Sequence, residues 1–344
     1  MGARGTKLWV LSVEETAGPG AAPFAHTALV VGADRDLRTL GPELRRSAAI
    51  YDEVLVVVGD RTRHVLADAA GDLPPRVRWG EPGAFYQRLG FAYEGFRRYL
   101  ADEQRAGRRV HVIAEPDLSS GMDAGLCADR AAAYLAYEAI CNDTYALGGS
   151  AVTCVWDSRH HPRTVIDGVR ATHPYELTAA GRSPSPSYLP PRRYLAGHQD
   201  RPMRPAPEQV DHDGTVGEVA ALSGLRSTLS GWAAGHRFTG DAREDLVLAV
   251  VEVATNGLRH GGTPVRVRAW HHHGTLIVQC DDSGTQPIPA AAGYLRPEPS
   301  AALAGGRGLW LARQLADVVT VSSVPGRTSV RLYFPLRIML APPS

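Results

Sequence analysis

The stretch from Glu252 to Gly261, EVATNGLRHG, constrains this chain more than any other. A carboxylate stands four residues before an amide, and a histidine four residues after it. In a helix that spacing stacks Glu252, Asn256 and His260 on one face. The apolar run just before it, DLVLAVVEVA, offers another face for burial. The segment is therefore expected to be a helix with one side in a core and the other turned towards chemistry. An Asn side-chain oxygen is a hard ligand suited to Mg²⁺. A neighbouring carboxylate can orient a hydroxyl or water for attack on a phosphoryl group. Taken alone, the pattern equally describes a polar helix face ended by Gly261 and Gly262.

Three more segments follow in order. LIVQCDDSGT (276–285) reads as a strand entering a turn that carries Asp282 and Gly284. GGRGLWLARQLAD (305–317) reads as a glycine loop opening a helix, and VVTVSSVPGRTSVRLYFPL (318–336) as two strands around a Pro-Gly turn. The ordered set resembles the GHKL ATPase fold: an Asn-bearing helix, an Asp-x-Gly turn, a Gly-x-Gly-Leu loop and a Gly-x-Thr hairpin. Within that superfamily it is most similar to the bacterial anti-sigma-factor and serine-kinase branch. The resemblance spans residues 215–336.

That resemblance implies an α+β sandwich, helices on a mixed and mostly antiparallel sheet, with ATP and Mg²⁺ as cofactors. It implies that Asn256 holds Mg²⁺ between the phosphates, that Glu252 is the catalytic base, and that His260 shares the nucleotide face. Asp282 would accept the adenine amino group, with Gly284 leaving room for the ring. Gly306, Gly308 and Leu309 would turn backbone N–H groups to the phosphates at a helix start, where the dipole also favours anions. Thr328 would sit near the adenine. The chain departs from the family at Asp282-Ser283-Gly284-Thr285-Gln286, where the second glycine of Asp-x-Gly-x-Gly is missing. The residue after Asn256 is Gly257, at a helix cost of about 1 kcal/mol relative to Ala.

Composition removes whole classes of function. The chain has 344 residues and a formal net charge of +1, with no basic or acidic excess to favour nucleic acid or a membrane surface. Lys7 is the only lysine. A Walker A phosphate loop and a Schiff-base lysine are both excluded. Cys127, Cys141, Cys154 and Cys280 form no Cys-x-x-Cys, so sequence suggests neither zinc nor a disulfide framework, and buried thiols are expected. No run approaches the roughly 20 apolar residues that span a bilayer. The three histidines His271–His273 read as a hairpin turn, because neighbours on a strand alternate faces and do not converge on one ion.

Upstream, HTALVVG, EVLVVVG, RVHVIAEP and SAVTCVWD read as strands. Helical spacing fills the segments between them, the longest in FYQRLGFAYEGFRRYLADEQRAG and ADRAAAYLAYEAICNDTYA. Strands alternating with helices indicate a layered α/β domain with a parallel sheet. Glu115-Pro116, YEAICNDTY (137–145), TCVWD (153–157) and RATHPYEL (170–177) resemble the MEDS-type sensory domain. That resemblance implies a RecA-like core without its phosphate loop and a small-molecule ligand. Glu115, Glu138 and His173 are its pocket candidates, with hydrogen bonds that stabilise the fold as the equal alternative.

The expected organisation is a loosely ordered 1–23, a sensory domain at 24–178, a Pro-rich linker at 179–212, the ATPase-like domain at 213–336 and a tail at 337–344. Proline density in the linker argues against helix or central strand there and lets the two domains fold separately. The function expected is that of a cytoplasmic anti-sigma factor or serine-protein kinase. Its partner would be a sigma factor or a STAS-type antagonist, with a homodimer left open. The alternative is a switch that binds nucleotide or a partner without phosphotransfer.

Overall fold

The computed structural model describes residues 24–80, 82, 86, 88–118, 124–145, 149–199, 203–238, 240–297 and 307–336. The expectations for 1–23, Gly306 and 337–344 lie outside the described residues.

The first half is built on a seven-stranded sheet, ordered β3-β2-β4-β5-β1-β6-β7. Its strands are β1 (Ala25–Val31), β2 (Glu53–Val57), β3 (Val77–Gly80), β4 (Val110–Ala114), β5 (Ala151–Asp157), β6 (Tyr175–Thr178) and β7 (Gly181–Pro184). All are parallel except β7, which returns antiparallel to β6. Runs such as VHVIA in β4 are buried throughout, as expected of strands covered on both faces. One face packs on α1 (Asp34–Leu37), α2 (Leu40–Ile50) and α3 (Asp60–Ala70) through Leu37, Leu40, Leu44 and Leu66. The other packs on α4 (Leu89–Arg105), α5 (Ala124–Thr144), α6 (Arg163–Thr172) and α7 (Pro191–Gln199).

The turn after β1 is closed by its own chain. The backbone N–H groups of Gly32 and Ala33 both donate to the Asp36 carboxylate at 2.8 Å. Amides that would otherwise be free for an anion are satisfied by the chain itself.

The second half is a five-stranded sheet, ordered β11-β12-β10-β9-β8, and every pairing in it is antiparallel. The strands are β8 (His212–Val216), β9 (Val265–His272), β10 (Thr275–Asp282), β11 (Val318–Val324) and β12 (Arg327–Pro335). Helices α8 (Leu222–Gly235), α9 (Gly240–His260) and α10 (Arg307–Leu315) cover one face. Asp241 lies inside the first turn of α9, where its charge suits the helix dipole. His273 and Gly274 form the two-residue β9–β10 turn, both with positive φ (43° and 74°). That confirms the hairpin reading of the histidine run.

Two expectations are corrected. The Pro-rich stretch carries both a strand and a helix. β7 is an edge strand ending at Pro184, and α7 starts at Pro191, the position where a missing N–H costs nothing. The two halves also share a core. Leu276, Val278 and Cys280 of β10 face α9, whereas Ile277 points the other way, with Trp270 and Tyr333, into the core built around α4 and α5. Strand β10, with its neighbours at Trp270 and Tyr333, is thus buried on both faces, while Asp213 and Arg266 towards the β8 edge stay exposed. Across this junction Arg130 on α5 meets Asp317 at 3.0 Å, both side chains at most 4% exposed. Arg88 pairs with Asp245 at 2.7 Å, and the Tyr333 hydroxyl donates to Asp129 at 2.9 Å.

Candidate functional site

Helix α9 stays helical through Asn256 because its apolar side, Leu246, Val250, Val253 and Ala254, is sealed against the second sheet. That leaves Glu252 and Asn256 half-buried on the opposite edge. The first turn of α10 comes directly onto them. A Cβ at Gly308 would lie 2.7 Å from Asn256 Nδ2 and 3.0 Å from Glu252 Oε2. Only glycine lets the start of that helix approach the pair so closely.

Asp282 ends β10 on the helix-facing side and is wedged among glycines. Its Oδ1 accepts the Gly284 N–H at 2.8 Å. A Cβ on Gly261 would meet that oxygen at 2.4 Å, and a Cβ on Gly284 at 2.9 Å. Gly257 also finds its reason here: a Cβ would strike Val265 at 2.7 Å and stand 3.5 Å from Asp282 Oδ2. The helix gives up propensity at Gly257 so that the strand and the acid can come close. Thr328 is the cross-strand neighbour of Asp282, buried, with its hydroxyl 3.0 Å from Ser323 Oγ.

Glu252, Asn256 and Gly308 thus lie together, and Asp282, Gly284 and Thr328 form an adjoining group bridged to them by Gly257 and Gly261. Leu309 is there too, but its side chain belongs to the core, against Gly293, so only its backbone is placed to serve a ligand. His260 is the exposed last residue of α9, and among the described residues no contact ties it to Asp282 or Gly308. Gly306 lies outside the described residues. Sequence reading missed Gly261 as a wall of the acid's pocket, since it resembled an ordinary helix stop. Cys280, one turn of the strand away, is a buried thiol, and burial pushes its pKa up.

The residues fit a nucleotide with its cation. A hard oxygen and a carboxylate meet the first turn of a helix at a glycine, and a second acid sits among glycines, which leave the room that a flat ring needs. Between β10 and α10 the chain runs beside this site, where Gly293 packs on Leu309, and leans on the first half. Tyr294 stands edge-on to Tyr137 of α5 at 5.1 Å, and the Arg313 guanidinium lies 3.9 Å over the Tyr294 ring. A cavity of about 300 Å³ opens between the halves, lined by Ala132, Ala136, Tyr294, Arg313 and Tyr333 among others. Of the pocket candidates in the first half, Glu115 instead accepts the Gly59 N–H at 2.9 Å beside the start of α3, apart from Glu138 and His173, which meet each other.

Residues 216–334 match the family model described as histidine kinase-like ATPase domain. Residues 25–174 match the one described as MEDS, the methanogen/methylotroph, DcmR sensory domain. No curated protein matches the chain. Among solved structures it is similar to the RsbU and RsbW domains of Rv1364c from Mycobacterium tuberculosis, at 19% identity and a TM-score of 0.27. That match covers 36% of this chain and 32% of the other, and so slight a likeness says nothing of activity.

Proposed function

We propose that this chain, which belongs by its two halves to the MEDS sensory domains and the histidine kinase-like ATPase domains, is a cytoplasmic regulator that binds Mg·ATP in the Asn256 groove. Its action is that of an anti-sigma factor or serine-protein kinase on a sigma factor or STAS-type antagonist. The approach of Gly308 to Glu252 and Asn256 carries the reading, because it joins the helix start to an amide–carboxylate pair able to serve phosphates. Bound there, the nucleotide supplies the phosphoryl group and its cation the charge neutralisation. Asn256 gives the cation an oxygen, Glu252 orients and accepts the proton of the attacking hydroxyl, and the amides after Gly308 hold the phosphates. The MEDS half would act through the Tyr137–Tyr294 contact on the segment bordering the groove.

Isothermal titration of the full chain with ATP and Mg²⁺ tests the binding. Transfer of label from ATP to a purified STAS-type antagonist then separates kinase from switch. The missing second glycine, replaced by Gln286, favours the switch, for which binding occurs and the partner stays unlabelled. Absence of any Mg²⁺-dependent ATP binding would remove both readings. Within the site, Asp282→Asn is expected to shrink the preference for ATP over GTP, because an amide can present a donor where the acid only accepts. Competition binding with the two nucleotides reads this directly. Undiminished discrimination would place adenine recognition elsewhere.

A further inference from the structure

Four side chains that the nucleotide site does not use converge inside the first half. They are His26 on β1, Glu138 on α5, Cys154 on β5 and His173 just after α6, all buried. One ligand atom from each lies within 4.8 Å of all the others. Glu138 Oε2 is the hub, 2.9 Å from His26 Nε2, 3.1 Å from His173 Nε2 and 3.4 Å from Cys154 Sγ. Cys154 Sγ is 3.6 Å from His26 Nε2.

The surrounding hydrogen bonds fix which ring nitrogens carry protons. The Asn142 amide nitrogen faces three carbonyls, of Glu138 at 3.2 Å, Ala139 at 3.0 Å and Thr172 at 2.8 Å. Its oxygen is therefore the atom turned to His26 Nδ1, at 3.1 Å, and that nitrogen is the donor. His173 Nδ1 donates to the Val169 carbonyl at 2.7 Å. A neutral imidazole with a proton on Nδ1 has a lone pair on Nε2. Both lone pairs then aim at the same carboxylate oxygen, and His173 Nε2 has no hydrogen-bond partner. Neutral imidazoles and a carboxylate repel in that arrangement unless a cation stands between them. Burial holds His26 below its ordinary pKa, with the His173 ring adding to the effect, so protonating that ring is a costly remedy.

We infer that His26, Glu138, Cys154 and His173 form a tetrahedral site for a divalent first-row metal ion, zinc foremost. A zinc ion bound by nitrogen, oxygen and sulfur sets its ligands about 3.3–3.8 Å apart, close to the separations here. Two neutral imidazoles, a carboxylate and a thiolate balance the charge of a divalent ion, and the thiol proton leaves as the metal enters. Each histidine is already held by its second nitrogen on an oxygen acceptor, the support that metal-ligating imidazoles usually have. The site is independent of the nucleotide reading. Its hub residue follows Tyr137, the contact to the segment bordering the groove.

The test uses the full chain, dialysed against chelator and titrated with Co²⁺, then displaced with Zn²⁺. The expected result is one ion retained per chain after desalting, with the visible bands of tetrahedral cobalt and a sulfur-to-cobalt charge-transfer band. Cys154→Ser should lose the charge-transfer band, and His173→Ala should lower affinity by at least about 100-fold. Cys141→Ser should leave both unchanged, although Cys141 Sγ is 3.5 Å from the His26 ring. The unmodified chain decides the matter if a variant fails to fold. No retained metal and no charge-transfer band would overturn the site and leave a buried ion pair. A band that survives Cys154→Ser, or binding that survives His173→Ala, would overturn this ligand set.

Discussion

Arg130→Met is expected to destabilise the folded chain by about 3–5 kcal/mol, because it leaves the Asp317 carboxylate buried without its counter-charge. Arg130 also donates to the carbonyls of Asp117 at 2.7 Å and Tyr86 at 2.5 Å. For that reason Asp317→Asn should cost much less: the guanidinium keeps two oxygen partners. The pH dependence has a defined sign. Burial pushes Asp317 up to about 6 against the pull of Arg130. An unfolded Asp titrates at about 3.9, so the folded state holds this proton over the window between. The group's contribution to stability is fully present below the unfolded value and is lost as pH rises through about 6. Without Arg130 the upward push is unopposed, so the deficit of Arg130→Met should be larger at high pH than at low pH. Urea denaturation of the three proteins across that range measures both effects. Equal costs for the two substitutions, or a deficit that grows on acidification, would contradict this account.

Asn256→Ala should lower affinity for Mg·ATP by about 100-fold or more while leaving the fold intact, since its side chain is half-buried at the edge of the core. Gly308→Ala is the sharper companion. Its new methyl would meet the ends of two flexible side chains, Asn256 and Glu252, and not backbone. The chain can absorb it by turning those ends away, which keeps the fold and spoils the site. Calorimetric titration with Mg·ATP, alongside thermal melts, reads both variants. Wild-type affinity in both would remove the nucleotide from this groove.

The second half was legible because its signals are local. The Asn-bearing helix, the Asp-x-Gly turn and the Gly-rich helix start each lie within a dozen residues, and the fold only had to bring them together. Strands β1, β2, β4 and β5 of the first half were legible from their apolar runs, whereas β3 and β6, four residues each and mostly half-exposed, carry no such run. Helix α3 was not legible either, since only Thr62, Leu66 and Ala70 are buried on it and its hydrophobic stripe is too thin to see. β7 and α7 were hidden by proline, which marks breaks but also tolerates edge strands and helix starts. The shared core left a trace in the LIV of β10, three apolar residues in a row where a one-sided strand would alternate, yet so short a run does not say what covers the second face. The cluster of His26, Glu138, Cys154 and His173 was illegible for a different reason. Its members come from two strands, the interior of one helix and the residue just after another, and no spacing along the chain records their meeting.

The two-sided burial of β10 and its neighbours also governs how the molecule comes apart. A wall common to two interiors cannot melt for one and persist for the other, so heating should give one cooperative transition for both halves. Any molecule that favours the native state then raises the same midpoint, wherever it docks. Nucleotide, metal and effector can accordingly be sought with one thermal-shift plate on the unmodified chain. Pairs that act through the shared sheet will declare themselves as shifts that fail to add.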